Sequence, residues 1–176
     1  NAIVNGVDNV GGIVGRINTY MDKGTTYLSK TYIYDCYTDG GEVKGRIYVG
    51  GIVGYNGGRR VERTYSTAIL ISGRQYVGGI MGRCHNNSAV PHASFALCYK
   101  IRRTEGTANL FGRIGGIAGN YQNNYALNTI VFEDEEGNET TEFWQNRGTN
   151  TNNGADITDE QSRLKSTYMN VGWLFA

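Results

Sequence analysis

Proline is almost absent: Pro91 is the only one in 176 residues. That excludes a collagen-like chain and argues against a Pro-rich linker. Histidine occurs twice, at His85 and His92. With so few, no H-E-x-x-H zinc-protease helix can be written, and no G-x-S-x-G elbow of a serine hydrolase occurs either. No apolar run approaches the ~20 residues of a membrane-spanning helix. Charged residues make up only 19% of the chain and the net charge is +1, so a charge-driven disordered tail is excluded and nucleic acid is not indicated as a partner. The three cysteines, Cys36, Cys84 and Cys98, are an odd number and cannot form a fully paired framework. Burial as small apolar residues is the leading reading, with a Cys84–Cys98 pair left open.

What the chain has in excess is glycine, 26 residues, about twice the usual share. It also has 13 tyrosines and few helix formers, which points to strands and turns. The glycines are organised. NVGGIVGR at 9–16 recurs as YVGGIVGY at 48–55, YVGGIMGR at 76–83 and RIGGIAGN at 113–120. Residues 33–60 align on 61–88 without a gap, pairing Tyr37 with Tyr65, Gly45 with Gly73, Tyr48 with Tyr76 and Ile52 with Ile80. FALCYKI at 95–101 resembles YALNTIV at 125–131. The repeating unit is therefore the block 33–60, lengthened elsewhere by insertions around Met21–Lys30 and Arg102–Asn109.

A unit this short cannot bury its own apolar face, but stacked copies share one core. Stacking predicts an all-β solenoid of the parallel β-helix kind, with a right-handed crossover as the expected hand. It predicts glycine ladders Gly11, Gly50, Gly78, Gly115 and Gly12, Gly51, Gly79, Gly116, beside an isoleucine column Ile13, Ile52, Ile80, Ile117. Read as one strand, each string puts Ile on one face and its flanking Val, Met or Ala residues on the other, with both faces covered. The third glycines, Gly15, Gly54, Gly82 and Gly119, are expected to turn the strand through positive φ. A phosphate-binding glycine loop does not fit, because it occurs once and precedes a helix.

The strings resemble the GLUG repeat, a bacterial motif of the form VGGLVGYN followed by a Cys-Tyr-Ser-Thr-Gly-like segment. YVGGIVGYN at 48–56 carries that likeness most closely, and DCYTDGGEV at 35–43 and TYSTAILIS at 64–72 more loosely. The resemblance covers about residues 9–132. It implies a β-solenoid of bacterial surface or secreted proteins, adhesin-like or immunoglobulin A peptidase-like, many from gut Bacteroides relatives. The repeat of that family supplies no catalytic residues, so none is carried over.

The organisation expected is solenoid repeats over 1–132 and a hairpin, loop and cap of the same domain over 133–176. IVFEDEEGNETTEFW at 130–144 reads as a hairpin turning near Gly137 and Asn138, its acidic run solvated and lacking the spaced ligands of a calcium loop. Thr158 to Gln161 fits a capping box opening a helix over about 159–166. Val171, Trp173, Leu174 and Phe175 are expected to cover the open end of the stack. Asn1 reads as the cut end of a longer precursor, and the Gly-Trp ending resembles the tails that follow GLUG repeats, a resemblance that implies an end close to a natural C-terminus.

Site candidates are few. Cys84, His85, His92 and Cys98 lie close together along the chain, but their spacing matches no common zinc module. Asp35 and Asp39 are candidate carboxylates whose plainer reading is strand-end and turn residues. Arg59, Arg60 and Arg63 form one basic cluster and Arg102 and Arg103 another, both read as solvated edges. No cofactor is expected. The expected function is a non-enzymatic adhesin-like binding or spacer module, with host glycan or protein and other domains of a longer surface protein as partners. The alternatives are the non-catalytic repeat region of a surface peptidase and a carbohydrate-active β-helix enzyme.

Overall fold

The computed structural model describes residues 2–27, 30–87 and 89–175. Short parallel strands stack into a β-solenoid of about four turns. Its first side stacks Ile33–Thr38, Val61–Ser66, then Pro91–His92 with Phe95–Ala96, Tyr125–Leu127 and Ala155–Ile157. The second stacks Ile3–Asn5, Glu42–Lys44, Leu70–Gly73, Lys100–Arg103 and Val131–Glu133. Asp8–Gly11, Ile47–Gly50, Gln75–Gly78 and Phe111–Gly112 form the third. Val14–Ile17, Val53–Asn56 and Met81–Cys84 form the fourth.

Each glycine string is thus two strands, not one. The chain breaks at the second glycine and the isoleucine, as at Gly51 and Ile52, and continues on the next side. This corrects the alternation expected of a single strand. Past the corner, Val49, Ile52 and Val53 all point into the same core, as do Val77, Ile80 and Met81, every one fully buried. The third glycines are also corrected. Gly15, Gly54 and Gly82 lie inside strands, and neither they nor Gly119 has positive φ. Their job is space: a Cβ on Gly82 would lie 2.5 Å from the Val49 nitrogen and 2.6 Å from the Tyr48 carbonyl carbon. The third and fourth sides can approach this closely only without side chains there.

The fourth copy is shifted from the expected register. Gly78 pairs with Gly112, and Val77 with Phe111. The isoleucine column runs through backbone bonds from Ile13 to Ile52, Ile80 and Ile114, leaving Ile117 outside it. Gly115 bridges Met81, and Gly116 takes the place of Gly82, with backbone 2.6 Å from its would-be Cβ. The second-glycine position of this turn is therefore filled by Arg113.

Arg113 is fully buried. Its guanidinium donates to the carbonyls of Asn153 (2.9 Å), Gly154 (2.8 Å) and Leu127 (3.2 Å), and pairs with Asp156 at 2.6 Å. Where glycine admits a next turn, arginine ends the series and ties the segment 153–156 across it. Trp144, 2% exposed, donates to the Ile130 carbonyl at 2.7 Å and packs edge-on against Phe132 and Phe143. These residues close the end that the C-terminal residues were expected to cover. Instead, Trp173 lies on the flank, donating to the Ala93 carbonyl at 2.9 Å and touching the rings of Tyr65, Phe95 and Tyr168. Leu174 is almost fully exposed.

The capping box at Thr158 is present with both reciprocal bonds. The expected single helix is two, Asp159–Ser162 and Lys165–Met169, broken at Arg163 and Leu164. The hairpin at 131–140 turns at Gly137 as expected. Of its acidic run Glu135 and Glu136 are exposed as expected, but Glu133 is 7% exposed and pairs with Lys100 (2.6 Å) and Arg102 (2.5 Å), while Glu135 pairs with Arg103. That also moves Arg102 and Arg103 from free edge residues to cross-strand partners. The first insertion forms an antiparallel hairpin, Tyr20–Asp22 with Thr25–Tyr27; Leu28 and Ser29 of that insertion lie outside the described residues.

Candidate functional site

The first side is not a plain strand ladder. Asp35, Arg63, Ala93 and Asn123 occupy equivalent positions and all adopt left-handed φ, between 46° and 56°. Each acts as a bulge that resets the alternation. Val61 points inward, Glu62 outward, and after Arg63 the inward residues are Thr64 and Ser66, both fully buried. Inside, Thr64 and Ser94 hydroxyls bond at 3.1 Å and Asn124 accepts from the Ser94 nitrogen at 3.0 Å. Buried polar groups are thereby satisfied within the stack.

Outside, the residues before the bulge line up as Tyr34, Glu62, His92 and Gln122. Glu62, His92 and Gln122 border a groove of about 520 Å³, whose walls also include Tyr32, Arg59, Arg60 and Asn120. The corner carrying the arginines is built by Asn56, which is 1% exposed. Its amide donates to the carbonyls of Arg59 (2.7 Å) and Ala89 (2.9 Å), and its oxygen accepts from the Gly58 nitrogen (2.9 Å). Gly57 and Gly58 lie against the backbone of Ile17, Thr19 and Thr31, which leaves no room for a Cβ. The Arg59 nitrogen donates to the Thr31 carbonyl at 2.8 Å. The backbone is fixed and both arginine side chains project into solvent.

The electrostatics of the groove are unusual for this chain. The other ten arginines all have a side-chain partner, whether a carboxylate, an Asn oxygen, a carbonyl or a Tyr hydroxyl. Arg59 and Arg60 have no ion pair or side-chain hydrogen bond among the described residues. His92, 7% exposed, has no hydrogen bond to its ring there either. Burial lowers its pKa, and Arg60 lowers it further against the opposing pull of Glu62. Glu62 is itself engaged by Arg63 at 2.7 Å.

A second outward feature is aromatic. Tyr37 stacks on Tyr65 with centroids 4.9 Å apart, and Phe95 on Tyr125 at 5.4 Å. Trp173, Tyr168 and Phe175 pack over this ladder and leave a shallow cleft of about 320 Å³. On the third side Arg83 lies over Tyr48 and Tyr76, at 5.5 and 4.7 Å.

The other sequence candidates are not gathered into a site. Asp35 is held by Arg63 through two bonds of 2.6 and 3.0 Å, which keep its carboxyl below the usual range. Asp39 accepts from the Thr67 hydroxyl at 3.0 Å. All three cysteines are free thiols. Burial pushes Cys84 up to about 11 and Cys98 up to about 12, which suits small apolar filler rather than nucleophiles. Among the described residues no three His, Cys, Asp or Glu side chains come together as metal ligands. His85 faces the Tyr55 hydroxyl at 3.3 Å. Sequence reasoning named Arg59, Arg60 and His92 but missed Tyr32, Glu62, Asn120 and Gln122. The available signal was the repeat itself, since Tyr34, Glu62, His92 and Gln122 recur at its spacing.

No protein-family model matches the chain, and no curated protein matches it. One solved structure does. It is the crystal structure of a putative immunoglobulin A1 protease from Bacteroides ovatus, superposing with a TM-score of 0.66 at 24% identity. The match covers 96% of this chain and 50% of that one, so the chain spans half the length of the neighbour. At this identity the likeness is one of fold.

Proposed function

We propose that this chain is a non-enzymatic β-solenoid segment of a larger bacterial surface or secreted protein, acting as a binding module or spacer. The observation that carries it is the division of labour within each turn. Inward polar groups are consumed by the stack, while the outward residues of the first side form a groove with free donors. The GLUG resemblance of the glycine strings supports a surface or secreted location. Host glycan or protein is the partner class, and other domains of the same protein are the neighbours. Binding of the purified chain to a glycan and host-matrix array is the test. A hit is expected; no hit removes the binding role and leaves the spacer.

A second reading is favoured by the structural neighbour, a putative immunoglobulin A1 protease: the chain is the repeat region of a surface peptidase similar to immunoglobulin A peptidases. In that reading the chain alone leaves immunoglobulin A1 intact, because Asp35 is locked in an ion pair and Cys84 and Cys98 are buried thiols. Incubation of the purified chain with immunoglobulin A1, followed by mass spectrometry, checks this. Specific cleavage, lost on Asp35→Asn, would overturn the non-enzymatic assignment.

A further inference from the structure

We propose that the groove lined by Tyr32, Arg59, Arg60, His92, Asn120 and Gln122 binds the anionic group of an acidic saccharide. The inference rests on the binding-module reading and gives it a site and a ligand class.

A guanidinium is always charged and offers five donors in a planar fork that suits a carboxylate or sulfate. The chain pairs ten of its twelve arginines internally and, among the described residues, leaves two adjacent ones without an ion pair on a corner that Asn56, Gly57 and Gly58 hold in place. His92 is mostly buried, has no hydrogen bond to its ring among the described residues, and opens on the groove. Arginines at the mouth and an unpartnered imidazole at the base converge on one small volume.

The rest of the lining distinguishes the kind of anion. Tyr32 is exposed and offers an aromatic face and a hydroxyl. Asn120 and Gln122 each carry both donor and acceptor, the pairing that a vicinal diol on a sugar ring requires. Glu62 adds an acceptor and shares Arg63 with Asp35. The lining rises through successive turns spaced ~4.8 Å apart, a step comparable to one sugar unit. A nucleic acid or polyanionic peptide is disfavoured by charge: the chain carries only +1 overall, and the groove itself offers only two unpaired guanidiniums.

The test titrates the folded chain by calorimetry with four probes. These are a uronic-acid trisaccharide, a sulfated disaccharide, the neutral trisaccharide of the same linkage, and an acidic hexapeptide. The double variant Arg59→Gln/Arg60→Gln and the distant control Arg74→Gln are titrated alongside. Both sets of substitutions lie on exposed side chains, and circular dichroism confirms that the variants fold. An acidic saccharide is expected to bind. The double variant should lose at least about tenfold in affinity, as for removal of charge-assisted bonds, and the control should lose less than about twofold. Preference for the uronate or for the sulfated sugar identifies which anion the groove takes. Equal binding of the neutral sugar, or tighter binding of the peptide, overturns the saccharide assignment. If an array ligand binds and the double variant retains it, the groove is wrong and the module reading survives. If no probe binds and the array is also silent, both fall.

Discussion

A single position decides where the solenoid stops. Gly51 and Gly79 occupy corners where the next turn approaches so closely that a Cβ would strike the Gly79 and Arg113 carbonyls respectively. Arg113 stands at the following corner, where the segment 152–154 lies over it in place of a repeat turn. Its charge is out of water, which lowers its pKa, and the pair with Asp156 opposes that shift. Replacing Arg113 by Ala strips hydrogen bonds from the carbonyls of Asn153, Gly154 and Leu127 in a closed site. We expect a loss of about 3 kcal/mol, the scale for uncompensated buried polar groups. Urea unfolding followed by tryptophan fluorescence would measure it. A loss under about 1 kcal/mol would mean that Arg113 does not hold the end of the stack. The sequence hid this role because RIGGIAGN offers a glycine pair just downstream, and string matching prefers it to FGRIGG. Glycine was legible as a repeat marker. That an arginine could occupy a glycine position was not, since it depends on the segment 152–156 that lies over it in place of a repeat turn.

At the scale of elements, the two tryptophans have exchanged the roles that composition suggests. Trp173 sits in an apolar ending that reads as a lid, yet its helix pair runs along the aromatic ladder of the first side. Trp144 follows the acidic hairpin, a polar setting, yet it completes the core. The energetics follow burial. Trp144→Ala removes a 2%-exposed side chain and should cost about 4 kcal/mol, whereas Trp173→Ala removes a half-buried one and should cost about half as much. Thermal melts of the two variants give the order directly, and the reverse order would restore Trp173 as the lid. The same scale shows what periodicity conveys and what it cannot. The repeat offset correctly aligns strands of neighbouring turns, as with Tyr37 on Tyr65 and Phe95 on Tyr125. It is silent on bulges. Of the left-handed residues that reset each strand on the first and third sides, only Asn9, Asp35 and Asn123 are types that tolerate that conformation well. Tyr48, Arg63, Tyr76 and Ala93 adopt it because the turns above and below impose it. The candidate groove was half legible for the same reason. Its arginines stand out as a cluster, but its Tyr, Glu, Asn and Gln are brought together only by the stacking.

Across the whole molecule the stack is asymmetric. At one end Arg113, Trp144 and the strand Ala155–Ile157 cover the last turns. At the other, Val7 and Ile3 are more than half exposed, Ile13 is 42% exposed, and Asp8–Gly11 and Val14–Ile17 pair on one edge only among the described residues. In a one-dimensional array each turn is stabilised by its neighbours, so a turn with one neighbour opens more readily than a turn with two. The strands Gln75–Gly78 and Met81–Cys84 are paired on both edges by Ile47–Gly50, Phe111–Gly112, Val53–Asn56 and the Gly115 bridge. Amide hydrogen exchange should therefore be graded along the axis: fastest over 8–17, slowest over 75–84, and intermediate but protected over 111–116, where Asn152 accepts from both Ile114 and Gly115. Peptide-resolved mass spectrometry would read the gradient. Uniform protection from 8 to 116 would mean that the chain opens as one cooperative unit, and the turn-by-turn account of its stability would be wrong. A gradient would also bear on the groove, because Arg59 and Arg60 stand between the frayed and the protected regions. Their corner rests on Ile17, Thr19 and Thr31, so fraying of the first turn would loosen the wall that carries the free guanidiniums.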